Sequence, residues 1–155
     1  MLYAEDARLN QILMSELLGE AGIQVDFACD GYETLDCLEK TPAYDLLLLG
    51  IQIPGMDGFE TARRIRQHEQ QTGHRIPIVA VTAYAIKGDR ERVLEAGMDD
   101  YITKPIDEDL LLRTIARHLP ALDYSALIGS ADTSRAASTP TVEPNAPAPV
   151  SDVAR

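Results

Sequence analysis

Four polar residues of this chain stand where apolar runs end: Glu5 and Asp6, adjacent, after the first run, Thr82 after the fourth, and Lys104 after the fifth, followed by Pro105. Two neighbouring carboxylates suit a hard divalent cation such as Mg²⁺, which takes oxygen ligands and needs only one or two carboxylates. A hydroxyl and an ammonium suit the oxygens of a phosphoryl group, whose charge they can stabilise from fixed positions. Each residue alone is a weak signal with an ordinary reading. Lys104 also serves as the counter-charge that makes two adjacent carboxylates tolerable, Glu5 and Asp6 also suit a helix start, and Thr82 also reads as a strand end with a satisfied hydroxyl. Their joint placement is the stronger signal. His68, His74 and His118 are scattered without metal-ligand spacing, and Arg63, Arg64 and Arg66 with Glu60 and Glu69 read as the solvated face of a helix.

The elements that must hold these residues repeat a strand-then-helix pattern five times. The expected strands are 2–4, 23–28, 45–49, 76–81 and 101–103. The expected helices are 9–19, 31–40, 58–70, 87–96 and 107–119. In the first helix Leu9, Ile12, Leu13, Leu17 and Leu18 recur at three and four, which gives one apolar stripe. Tyr32, Leu35 and Leu38 do the same in the second helix, and Leu110, Leu111, Thr114, Ile115 and His118 in the last. Asp30 and Asp57 are candidate N-caps, and Gly97 ends the fourth helix. The third run is apolar throughout its interior, after Asp45, as in a strand covered on both faces. Five such units predict a doubly wound α/β fold with a five-stranded parallel sheet, whose chemistry gathers at the carboxyl ends of the strands.

Composition narrows the function. Of 155 residues, 25 are Asp or Glu and 14 are Lys or Arg, a formal charge of −11. That balance repels nucleic-acid phosphate and anionic lipid. No stretch reaches the roughly 18 apolar residues that a membrane span needs. With two cysteines, Cys29 and Cys37, and no secretory leader, the expectation is a reduced cytoplasmic setting without disulfides. From about residue 122 onward Pro140, Pro144, Pro147 and Pro149 fall among Ala, Ser and Thr, too little apolar surface to offset chain entropy. The expected organisation is a folded domain over 1–121 and a mostly disordered linker over 122–155 leading to another domain.

The sequence resembles the receiver domain of two-component response regulators, particularly receivers fused to hybrid sensor histidine kinases. The resemblance covers Tyr3 to about Leu119. It rests on Glu5 and Asp6 with Asn10 and Gln11, on DGYETL at 30–35, on IQIPGMDGFE at 51–60 and on IPIVAVTAYAIKGDRERVLEAGMDDYITKPID at 76–107. It implies a flavodoxin-like (βα)5 fold of strand order 2-1-3-4-5. It implies that Glu5 and Asp6 form the Mg²⁺-binding acid pocket, Thr82 and Tyr101 the switch pair, Lys104 the phosphoryl contact and Pro105 a cis proline. It also implies partners: a histidine kinase or histidine phosphotransfer domain docking beside the first helix, with a second copy of the domain as a further candidate.

One position departs from the family. Aligned on IPGMDG, the phosphoacceptor aspartate falls on Gly50. Glycine supplies neither an acceptor oxygen nor a metal ligand, so Mg²⁺ is expected to be held weakly, by Asp6 and Glu5. Asp45 lies five positions earlier, about 16 Å away along an extended strand, too far to substitute. Asp57 follows Pro54 and Gly55 and suits a helix cap better than in-line transfer. The expectation is therefore a receiver that works by binding, a non-enzymatic domain from a larger kinase. Two alternatives stay open: an ordinary phosphoaccepting receiver in which Gly50 is a substitution, and a small flavodoxin-like enzyme or flavin carrier. The loop EDARLN lacks the Gly, Ser and Thr that would cradle a flavin phosphate.

Overall fold

The computed structural model describes residues 1–41, 44–83 and 88–119. They form β1 (Leu2–Ala4), α1 (Arg8–Glu20), β2 (Asp26–Ala28), α2 (Gly31–Lys40), β3 (Leu47–Gly50), α3 (Gly58–Thr72), β4 (Ile78–Thr82), α4 (Asp89–Glu95), β5 (Asp100–Thr103) and α5 (Glu108–His118). The strands make one parallel sheet of order β2-β1-β3-β4-β5, as expected of a doubly wound fold. The linker expected over 122–155 lies outside the described residues.

Alternation along the strands sorts side chains into two cores. Leu2, Ala4, Leu47, Leu49, Ile78 and Ala80 face α2, α3 and α4. Tyr3, Leu48, Val79, Val81 and Ile102 face α1 and α5, against Met14, Leu18, Leu111 and Ile115. The aspartates Asp30, Asp57 and Asp107 cap α2, α3 and α5, accepting from the N–H of Glu33, Glu60 and Leu110 at 2.7–2.8 Å.

Several expected details change. The second strand is Asp26–Ala28, not 23–28, because β1 offers only three residues to pair with and Asp26 N–H already bonds Met1 O at 2.9 Å. The fourth strand starts at Ile78, after Pro77, which has no N–H to give the sheet. The fourth helix is Asp89–Glu95, with Gly88 at φ 101° before it. The apolar stripe of α1 is corrected as well. Met14, Leu18 and the following Ala21 are buried, whereas Leu9, Ile12 and Leu13 are 67%, 46% and 55% exposed. Both sides of this helix carry apolar residues, so periodicity alone does not choose the inner one. Leu110, placed on or near the inner stripe of the last helix, is exposed, and so is Tyr32 of α2.

The reading of the third helix needs a sharper correction. Arg63 and Arg64 do pair with Glu60 on an exposed face. Arg66 and Glu69, in contrast, are turned inward and mostly buried. The Arg66 guanidinium donates to Gly97 O, Ile76 O, Glu69 and Asp99 at 2.7–2.9 Å. Those two carboxylates also accept from Ile76 N–H, Ile78 N–H and Arg75. The cluster ties α3, the start of β4 and the turn before β5 at the amino end of the sheet.

Candidate functional site

The opposite, carboxyl end of the sheet gathers the residues singled out by type and spacing. Glu5 directly follows β1, and its position two residues after Tyr3 puts both side chains on one face of the strand. Glu5 is 3% exposed. Its Oε2 accepts from the Tyr3 hydroxyl at 2.8 Å and from Lys104 Nζ at 2.9 Å, and its Oε1 from Ala7 N–H at 3.0 Å. Burial alone would raise the Glu5 carboxyl, but the Ala7 N–H, the Lys104 ammonium, the Tyr3 hydroxyl and the neighbouring Asp6 carboxyl together bring it down to about 2. The Tyr3 hydroxyl is pushed well above the ordinary tyrosine range, first by burial and then by the Glu5 charge.

Lys104 arrives at this carboxylate from β5. Its backbone N–H bonds Thr82 O at 2.8 Å, which ties the ends of β4 and β5, and the Lys104–Pro105 peptide bond is cis. Thr82 is buried. Tyr101 is half-buried beside the core formed with α2, α3 and α4. Asp6 is exposed. The structure thus joins Glu5 and Lys104 directly and places Thr82 next to Lys104 through the backbone. Asp57 remains engaged as the α3 cap.

Gly50 ends β3 in a tight place. A Cβ built on it would lie 2.8 Å from Ala4 O and 3.1 Å from Ile53 Cγ2. Gly58, the first residue of α3, is seated on the same strand end, where a Cβ would come 2.5 Å from Gly50 O. Its N–H bonds Ile51 O at 2.9 Å, so the helix closes directly over the loop. Ala4 O and Ile53 leave little room for a side chain at Gly50.

Two further features were not legible beforehand. Tyr3 reads in sequence as a core strand residue, and only its i, i+2 relation to Glu5 hints at a hydrogen bond. A cavity of about 330 Å³ opens beside Lys104, lined also by Asn10, Leu13, Leu17, Pro105 and Ile106. It joins the Lys104 stem to the exposed apolar row of α1. Among the described residues, no group of three or more His, Cys, Asp or Glu is arranged to hold a metal ion. None of the described helices is long and apolar enough to cross a membrane.

The sheet order defines a doubly wound α/β fold with Glu5, Thr82 and Lys104 at its carboxyl rim. Residues 1–116 match the family model of the response regulator receiver domain, and the chain belongs to that family. It is 44% identical over 119 residues to hybrid signal transduction histidine kinase I of Dictyostelium discoideum, covering 74% of this chain and 7% of that protein. It is 37% identical over 118 residues to sensor histidine kinase GacS of Pseudomonas protegens, covering 76% and 13%. The chain therefore spans a small fraction of these relatives. Among solved structures, the receiver domain of sensor histidine kinase PA1611 from Pseudomonas aeruginosa, with magnesium coordinated in its active-site cleft, superposes with a TM-score of 0.68. Its sequence identity is 37%, over 77% of this chain and 95% of that one. The receiver domain of Saccharomyces cerevisiae Ssk1, solved with the phosphotransfer protein Ypd1, gives 0.70 at 30% identity, over 74% and 84%.

Proposed function

We propose that this chain is a receiver that signals by binding and does not accept phosphoryl at the customary position, within a protein of hybrid sensor kinase type. The observation that carries this reading is Gly50 at the carboxyl end of β3, in a rim that otherwise retains Glu5, Asp6, Thr82 and Lys104. Without a carboxylate there, no acyl phosphate forms, and Thr82 and Tyr101 have no phosphoryl group to follow. The alternative of a working acceptor in which Gly50 is incidental is disfavoured by the 2.8 Å approach of Ala4 O to a Cβ at this residue. The partner is a histidine-bearing helical protein, a kinase or phosphotransfer domain, lying along α1. Leu9, Ile12 and Leu13 supply an apolar row there that the core does not use.

Intact-mass measurement after incubation with a small phosphodonor and Mg²⁺ tests the first half. The expected spectrum is unshifted, and a stable Mg²⁺-dependent gain of one phosphoryl group overturns the reading. For the second half, Leu13→Asp is expected to weaken binding to a histidine phosphotransfer protein at least about tenfold, which is the scale of one desolvated apolar anchor. Unchanged affinity places the partner elsewhere.

A further inference from the structure

We propose that the acid pocket of this domain carries its own cation, the Lys104 ammonium, and excludes Mg²⁺. This rests on the reading of Gly50 as a non-accepting position and adds what has become of the charges around it. A carboxylate offers about four lone-pair sites. Three of those on Glu5 are already taken, by Tyr3 Oη, Lys104 Nζ and Ala7 N–H, all at 2.8–3.0 Å, on a side chain 3% exposed. A divalent ion ligated by Glu5 would have to displace a bonded ammonium or sit within a few ångströms of it, where like charges repel strongly. Gly50 adds no side-chain oxygen. Among the described residues Asp6 is then the other carboxylate of the rim, beside Glu5 and exposed to solvent, and Mg²⁺ gives up its hydration water reluctantly for a single such ligand. Tyr3 completes the arrangement from below, its buried hydroxyl donating to Oε2, the same Glu5 oxygen that Lys104 meets.

The pocket is thus set without metal. Because Lys104 also lines the cavity beside Leu13 and Leu17, the surface next to α1 is held in one arrangement whether Mg²⁺ is present or not.

The test is an NMR titration of the isotope-labelled 155-residue chain with Mn²⁺, whose paramagnetism broadens nearby amides, followed by Mg²⁺ competition. For the unaltered protein, broadening at Glu5, Asp6, Ala7 and Gly50 is expected to be no steeper than at the exposed Asp57 turn. Selective broadening of the pocket amides that Mg²⁺ reverses overturns the proposal. In Lys104→Met, which frees a Glu5 lone pair and removes the repelling charge, the same amides are expected to broaden at Mn²⁺ concentrations at least about tenfold lower. A folded Lys104→Met chain that binds no better than the parent also overturns it. A second measurement needs no substitution: the Lys104 Nζ resonance of the unaltered protein is expected to stay put under saturating Mg²⁺, and its displacement refutes the ion pair as the excluding element. These outcomes are independent of the mass measurement above. Metal binding without an adduct sinks the internal cation alone, whereas an adduct sinks the non-accepting receiver.

Discussion

The two ends of the sheet each centre on a cation, and they use it differently. At the amino end, Arg66 bridges Glu69 and Asp99 and also binds two backbone carbonyls, joining three segments. At the carboxyl end, Lys104 meets one carboxylate, Glu5, which is completed by a hydroxyl and a backbone N–H. The first is a joint, with its planar fork filled by fixed acceptors. The second has the composition of a reactive centre but the bonding of a joint. Polar groups at strand ends therefore do not by themselves signal chemistry; what matters is whether lone pairs are left over once the internal partners are counted.

Substitutions at the two ends sharpen this contrast. The largest loss is expected at the amino end: Arg66→Ala leaves Glu69 and Asp99 without their shared cation and is expected to cost about 3 kcal/mol in urea unfolding. A loss below about 1 kcal/mol would show that the backbone N–H donors suffice for the two carboxylates. Gly50→Ala comes next. A Cβ 2.8 Å from Ala4 O forces β1 and β3 apart and is expected to lower stability by about 2 kcal/mol. A neutral result would mean that the strands yield freely and that an acceptor side chain fits.

The smallest effect at neutral pH belongs to Glu5→Gln, about 1 kcal/mol, because an amide oxygen still accepts from Tyr3 and Lys104 but without charge. Its pH dependence is the sharper readout. Glu5 in the folded chain is lowered from 4.5 to about 2, so its contribution is fully present above pH 4.5 and is lost as pH falls toward 2. In the Gln variant that part of the acid limb is expected to flatten. Parallel acid limbs would disconnect Glu5 from the stability of the pocket.

Much of this was legible in sequence because it is encoded locally. Alternating apolar runs and the aspartate caps Asp30 and Asp57 mark out the strand–helix units, and the residues closing those runs mark the rim. What stayed hidden depends on partners distant in the chain. Arg66 looks like its exposed neighbours Arg63 and Arg64 until Gly97, Ile76 and Asp99 are brought beside it. Tyr3 looks like one more core residue until Lys104, from the other end of the domain, fixes the Glu5 carboxylate above it. The spacing of Leu9, Ile12 and Leu13 is helical and apolar, and only the second apolar side of α1, Met14 and Leu18, shows that it faces outward. The crowding at Gly50 is a property of two strands and carries no sequence signature at all.

The outward row on α1 has a consequence for how such a domain changes over time. Since Leu9, Ile12 and Leu13 add nothing to either interior cluster, they are free to be exchanged without loosening the scaffold. If partners dock along α1 as proposed, recognition can drift toward new companions while the architecture stays still.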